Sequence, residues 1–507
     1  MATTTGYDVP AIELTVARRQ LVLFVIVLGA ASYNAATFTA TAILPQMQGA
    51  MAATQDEISW TVTFNILATA VVTPMTGWLV ASFGRRNVMV CSLAGFTIAS
   101  LLCGLARGLD DLVLWRVLQG AAGAPLLPLG QTLILDVFPR RQHAWAISVF
   151  GMANTAGPII GPTLAGVLSD YYGWRWGFYM IVPVALLATV GSRLALPSDD
   201  DRRPVSLDWT GFLSVSIAIA AMQWVLARGP RLDWFESNEI IVITLIGLVA
   251  FYVFVAHSFT ARNPFLNLRI VLDRNFALGL LLVGTFGMVN ITPMVLLPPL
   301  LQTHLGYTDR LIGIIVGWRG VGVLTGCFLV MLMTRFDPRI TMVIGFGIQI
   351  ISGLWLMAIT LDADFATFAL NTFLQGVAVG LIWTPIATTA FWTLPPASRA
   401  EGTSVFHLTR NITSSFFISV CVAEILRSTG ANYSRLVENV TPYSKALLMA
   451  PATGGWNVDT ASGLASLSKE INRQAALIAY TNVFYIYTLV SLAAIPMAML
   501  VRRPQMR

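Results

Sequence analysis

From Gln20 onward, apolar runs of about 20 residues alternate with short polar connections, and a run of that length is what a helix needs to cross a hydrocarbon core about 30 Å thick. The pattern predicts fourteen spanning segments, at 20–45, 58–82, 88–107, 111–135, 144–168, 174–196, 209–227, 239–258, 275–302, 310–333, 339–361, 365–393, 404–426 and 476–501. The expected fold class is therefore an all-α membrane protein. The polar stretch from Met1 to Arg19 leads into about 25 apolar residues, too long for a signal core and without a small-residue cleavage site, so segment 1 is expected to stay in the mature chain.

Composition sharpens this picture. A chain of 507 residues has room for two or three soluble domains, but 56% hydrophobic residues, 11% charged residues and a mean hydropathy of +0.71 exclude an ordinary soluble protein. The bilayer is the first expected partner. The net charge of +6 comes from cations scattered between apolar runs, which points to membrane topology and not to nucleic acid. With the N-terminus inside, eighteen arginines fall at inner helix ends and five in short outer loops, an asymmetry that predicts cytoplasmic termini. The outer loop 427–475 is long enough to escape that rule.

Cys91, Cys103, Cys327 and Cys421 lie within apolar segments, with no CxxC and no Cys/His pairing, so they read as packing residues; neither disulfide nor metal is expected. There is no GxxxxGK[ST] phosphate loop and no HExxH, and the only lysines, Lys445 and Lys469, fall in the outer loop. An ATP-driven pump or a membrane hydrolase is thereby excluded, and no cofactor is expected.

The most polar inner connection, Pro197 to Val205, follows segment 6. It places the first domain boundary and predicts a six-helix bundle at 1–200, an inserted helix pair at 201–262 and a second six-helix bundle at 263–507 that contains the long outer loop. Repeated helical halves with a site between them are a recurrent transporter plan.

Four stretches carry candidate chemistry. Between segments 2 and 3, Gly77-Trp78-Leu79-Val80-Ala81-Ser82-Phe83-Gly84-Arg85-Arg86 forms a short, basic, glycine-containing turn. In segment 4, Arg116, Gln119, Gly120 and Gly123 recur on one helical face, and an arginine inside a span is a functional candidate because it is expensive there; the alternative is that Arg116 snorkels to the interface beside Asp110 and Asp111. Segment 5 holds Gly157-Pro158-Ile159-Ile160-Gly161-Pro162, where two prolines bend the helix and two glycines admit a close neighbour. The fourth stretch comprises Leu207-Asp208-Trp209-Thr210-Gly211 together with Asp233-Trp234-Phe235 and Arg274-Asn275-Phe276.

Together these resemble the fourteen-span drug:proton antiporter family of the major facilitator superfamily. The likeness runs in order from about Trp60 to Arg410. It implies a major facilitator fold, with Gly77, Gly84, Arg85 and Arg86 bracing a cytoplasmic gate. It also implies a bent helix at Gly157, Pro158, Gly161 and Pro162 that limits leak, and a role in coupling for Arg116. Protons as coupling ion and a periplasmic adaptor protein are the partners it suggests, in a bacterial inner membrane.

The chain departs from the family at two points. The family's aspartate is absent at Ala81, and segment 1 carries Asn34, Thr37 and Thr41 on one face without the usual carboxylate, so it hydrogen-bonds a polar solute but holds no proton. The central charges are instead Arg319 in segment 10 and Arg410 in segment 13, where His407, Arg410, Asn411, Ser414 and Ser415 form one stripe. His407 titrates near neutrality in reference compounds and is the candidate proton carrier. Arginines without acids disfavour lipophilic cations and suit a neutral or anionic organic solute. Two readings stay open: an exporter of amphipathic molecules, and an uptake permease for a heteroaromatic nutrient such as riboflavin.

Overall fold

The computed structural model describes residues 14–197, 206–261, 264–333, 337–395, 398–441, 456 and 460–501. Every regular element among them is a helix, the form in which a segment satisfies its own backbone N–H and C=O groups in hydrocarbon. Fourteen long helices follow the fourteen apolar runs. They are α1 (Val16–Ala42), α2 (Gln55–Val72, carried on by a 3-10 turn and Thr76–Phe83), α3 (Arg85–Leu105), α4 (Leu109–Gly123 and Leu126–Val137), α5 (His143–Tyr172), α6 (Trp176–Tyr179 and Ile181–Ala195) and α7 (Trp209–Arg228). The remainder are α8 (Asn238–Thr260), α9 (Arg274–Pro299, ending in a π turn Leu300–His304), α10 (Asp309–Leu332), α11 (Pro338–Met357), α12 (Phe365–Ala390), α13 (Arg399–Val437) and α14 (Ala461–Leu500).

Thirteen of these combine spanning length with high mean hydropathy. The other is α5, whose 30 residues include Asn154, Gly157, Pro158, Gly161 and Pro162. Acidic residues begin several helices: the carboxylates of Asp208, Asp273, Asp337 and Asp364 accept from backbone N–H groups of α7, α9, α11 and α12. Only Gly84 separates α2 from α3. Its φ of 82° and ψ of 154° lie in a region essentially reserved for glycine, which accounts for that residue at the turn.

The helices pack as two groups of six with the same internal pairings. In the first, α1 lies on α5 and α6, α2 on α4, and α3 on α4 and α6; in the second, α9 lies on α13 and α14, α10 on α12, and α11 on α12 and α14. The remaining pair, α7 and α8, pack on each other, and α7 also touches α2 and α13. Asp208 pins this pair. Its oxygens meet His257 Nε2 at 2.9 Å and accept from Gly211 N at 3.1 Å and Phe265 N at 3.0 Å. Burial works to raise the Asp208 carboxyl, but these bonds outweigh it and hold the group below the ordinary aspartate range.

One expectation needs correction. The outer loop 427–475 is largely helix, because α13 runs on to Val437 and α14 already begins at Ala461. These extra turns are too polar to register as apolar runs, yet they are tied together sideways. Asn482 Nδ2 donates to Ser428 Oγ at 2.9 Å, and Tyr433 Oη lies 2.8 Å from Ser468 Oγ. Residues 442–455 and 457–459 of that loop, Lys445 included, lie outside the described residues, as do the positions of both expected domain boundaries and residues 1–13 of the N-terminal stretch.

The tightest pairing is α10 with α12, where Gly322, Gly326, Gly376 and Gly380 bring backbone against backbone. A side chain at Gly376 would overlap the Arg319 carbonyl. Gly376→Leu is therefore expected to cost about 3 kcal/mol or more and to abolish monodisperse protein in gel filtration. Gly347→Leu, on a face of α11 with nothing within 4 Å, is the control that should elute as wild type.

Candidate transport site

The two six-helix groups meet along α4 and α5 on one side and α12 and α13 on the other. Because α4 and α13 run antiparallel, residues four apart on α13 face α4 in a ladder. His407 Nε2 pairs with Gln131 Oε1 at 2.7 Å, Thr403 Oγ1 with Thr132 Oγ1 at 2.7 Å, and Arg399 Nη1 with Asp136 Oδ1 at 2.9 Å. Ser148 on α5 and Thr384 on α12 add a contact of 3.0 Å. The ladder ends at the arginine-rich end of the bundle, where Asp136 Oδ2 also takes Arg85 Nη1 at 3.0 Å.

One turn beyond His407, Arg410 is 7% exposed and places its guanidinium 5.5 Å from the centroid of the Trp383 ring. It donates to Asn411 Oδ1 at 3.2 Å. Trp383 also lies beside His407, Phe286 and Phe406, and its ring fills the space left by Gly151 of α5. A cation over an aromatic plane at the seam between the two groups can hold a flat or anionic solute by stacking and charge.

The sequence candidates thus divide by place. His407, Arg410 and Asn411 come together at the seam. Asn34 lies within the first group, where its Nδ2 donates to Asn154 Oδ1 at 2.9 Å across to α5. Thr37 and Thr41 donate back to the Tyr33 and Phe38 carbonyls of their own helix, and Thr41 is exposed. Gly157 and Gly161 press α5 against the backbone of α1 at Ala31 and Ala35, and Pro158 and Pro162 sit in that same stretch.

Arg116 does not reach outward to Asp110 and Asp111. It is 1% exposed, and its Nε donates to Thr61 O at 3.1 Å while Nη1 serves Ala36 O and Gln119 Oε1. Gln119 in turn donates to Ser100 Oγ at 2.7 Å, so this pair bridges α1, α2, α3 and α4. Arg319 is buried in the second group.

At the arginine-rich end, Gly77 packs against the backbone of Glu401 in the first turn of α13, and Arg86 Nη2 donates to Arg193 O at 2.7 Å. Glu401 accepts from the backbone N–H of Asn267. The end of the bundle that lacks a carboxylate at Ala81 has one in Asp136, paired with Arg85 and Arg399, a residue the sequence reading did not single out. The available signal was an acid directly after the buried run Leu133-Ile134-Leu135 in a chain that keeps acids out of its span centres. Gln131 and Trp383 were also missed, since neither stands out from an apolar run by charge.

Twelve long helices in two equivalent groups of six, joined through a seam with polar links and accompanied by one further pair, define a helical membrane transporter. Residues 25–418 match the Major Facilitator Superfamily, and the chain belongs to that family. It is 29% identical over 475 residues to the multidrug export protein EmrB of Escherichia coli (strain K12), covering 92% of each chain. It is also 29% identical over 476 residues to the fatty acid resistance protein FarB of Neisseria gonorrhoeae, covering 92% of this chain and 93% of that protein. Among solved structures, the proton:xylose symporter XylE superposes with a TM-score of 0.59 at 14% identity, covering 93% of this chain and 95% of the other, a likeness of fold. These relatives uphold the assignment to the drug:proton antiporter branch, and the chain is a multi-pass membrane transporter that moves a small molecule. The alternative of riboflavin uptake finds no support among them.

Asp136→Asn removes the acceptor charge shared by Arg85 and Arg399. A cysteine at Thr403, in a background freed of the four native cysteines, should then react severalfold faster with a water-soluble maleimide in permeabilised membranes. Labelling at the wild-type rate would show that the triad does not close this end.

Proposed function

We propose that this protein exports amphipathic organic solutes, uncharged or anionic, across a bacterial inner membrane by alternating access at the seam between its two groups. The observation that carries the reading is Arg410: buried, set over Trp383, and without an acidic partner among the described residues. A lone central cation repels lipophilic cations and attracts anions, and the aromatic plane beside it favours flat or apolar bodies. The names of EmrB and FarB, a multidrug exporter and a fatty acid resistance protein, support export and an amphipathic cargo.

In this reading the arginine-rich end faces the cytoplasm, in line with the charge asymmetry of the sequence. The Asp136 triad, Gly77, Gly84 and Arg86 form the gate on that side, and the bent α5 seals against α1. His407, bridging the groups through Gln131, exchanges the coupling proton in place of the missing segment 1 acid. Arg116 and Gln119 position α1 and α2, and Asn34 with Asn154 sets the approach of α5. The polar ends of α13 and α14, projecting on the opposite side, give a periplasmic adaptor a place to dock.

Inverted vesicles carrying the wild-type protein should accumulate the amphipathic anion 8-anilinonaphthalene-1-sulfonate and leave the cation ethidium outside. Arg410→Ala should lower anion accumulation by about tenfold or more, the effect of losing a charged hydrogen-bond partner. His407→Gln should retain substrate binding but lose the response to an imposed pH gradient. Ethidium accumulation by the wild type, or anion accumulation unchanged in Arg410→Ala, would overturn the proposal.

A further inference from the structure

Arg319 lies in the middle of α10 and is 2% exposed. Its Nη2 donates to the backbone carbonyl and, at 2.8 Å, to the side-chain oxygen of Asn290 on α9. Its Nε and Nη1 have no protein partner, and no acidic side chain pairs with it, among the described residues. A guanidinium stays charged inside proteins and carries five donors, so a buried one that meets neither an acid nor a full set of acceptors is a costly arrangement. Arg116 shows what a braced arginine looks like here, with two carbonyls and a glutamine oxygen around it.

Arg319 also borders a small cleft between α9, α10 and α12. Its walls are mostly apolar, from Met294 and Leu297 on one side to Ile315 and Val316 on the other, with Thr372 and Gln375 of α12 as the polar groups beside Arg319. The wall of α9 is interrupted by Pro293, Pro298 and Pro299, so this helix end lacks several backbone hydrogen bonds that would hold it straight.

We propose that Arg319 is an anion-binding site inside the second six-helix group, holding one compact monovalent anion, either free or as the carboxylate head of an amphiphile whose tail lies in the cleft. The unpartnered Nε and Nη1 leave the guanidinium charge open to an anion, and no other charged group lines the cleft. Asn290 is the neutral partner with which the anion shares the guanidinium. The site is distinct from that at Arg410 and holds whichever way the protein transports.

The test is calorimetric titration of nanodisc-reconstituted Arg410→Ala protein, which removes the proposed transport site, in chloride-free buffer with octanoate, octanol and sodium chloride. Saturable binding of octanoate, of chloride or of both, with octanol silent, is expected, and Arg319→Gln in the same background should weaken it about tenfold or more. Arg319→Lys should retain part of it. Chloride alone assigns a free anion, octanoate alone an amphiphile head, and mutual competition a shared seat. Absence of any anion signal, or equal affinity in a monodisperse Arg319→Gln protein, overturns the site and leaves the Arg410 reading untouched. If the Arg319 variants do not fold, thermal unfolding of the Arg410→Ala protein decides: a rise with octanoate or chloride but not with octanol supports the site, and no anion-specific rise overturns it.

Discussion

Hydrocarbon supplies no hydrogen bonds, and this constraint governs the molecule. An unsatisfied backbone group in lipid costs several kcal/mol, which leaves the helix as the form for each crossing in a bundle like this one. The same constraint decides where the scarce charges go. Asp208, Asp273, Asp337 and Asp364 sit at helix starts, where exposed N–H groups need acceptors. The arginines that do enter the bundle are held by carbonyl and amide oxygens, as Arg116 is by α1 and α2.

Within each six-helix group many contacts are apolar or backbone to backbone, while between the groups short polar contacts stand beside a few apolar ones, such as Trp383 on Gly151 and Ile159 on Gly320. A hydroxyl pair such as Thr132 with Thr403 contributes about 1 kcal/mol, and the Asp136 triad is partly exposed and so screened. A seam made of several such links is strong enough to stay shut and weak enough to open by a rigid movement of one group against the other. The α10–α12 glycine contact has the opposite character, since separating backbones packed that closely exposes surface with nothing to replace it. The difference sets the plane on which the molecule can move.

The architecture was legible because the signal is long and repeated: a run of 20 apolar residues has one structural outcome in a membrane. Even α5, diluted by its prolines and glycines, was readable from its neighbours. What escaped was polar helix beyond the bilayer, since the last turns of α13 and the first of α14 are held by lateral pairs such as Tyr433 with Ser468 and not by hydropathy. The site was legible in part. His407, Arg410 and Asn411 announce themselves by chemistry in an apolar stretch, but the fold alone supplies their partners: Gln131 is 276 residues from His407, and Trp383 stands on a different helix from Arg410. Helical spacing grouped Asn34, Thr37 and Thr41 on α1 but did not give their partners, since a threonine hydroxyl readily reaches its own helix's carbonyl while Asn34 reaches Asn154 on α5.

Three buried arginines then separate by what surrounds them, which charge and depth alone do not reveal. Arg116 is enclosed by the carbonyls of other helices, so its charge is spent on holding the first group together. Arg410 faces the aromatic plane of Trp383 within the second group, at the seam where the two groups part and meet, and its one polar partner among the described residues is its own neighbour Asn411. Arg319 is enclosed on one side by Asn290 and unmatched on the other. Since removing a charge from water is repaid only by partners, the arginine with the fewest fixed partners is the one whose environment must change most when an anion arrives. One residue type in one solvent thus takes three different settings, sorted by the oxygens within reach.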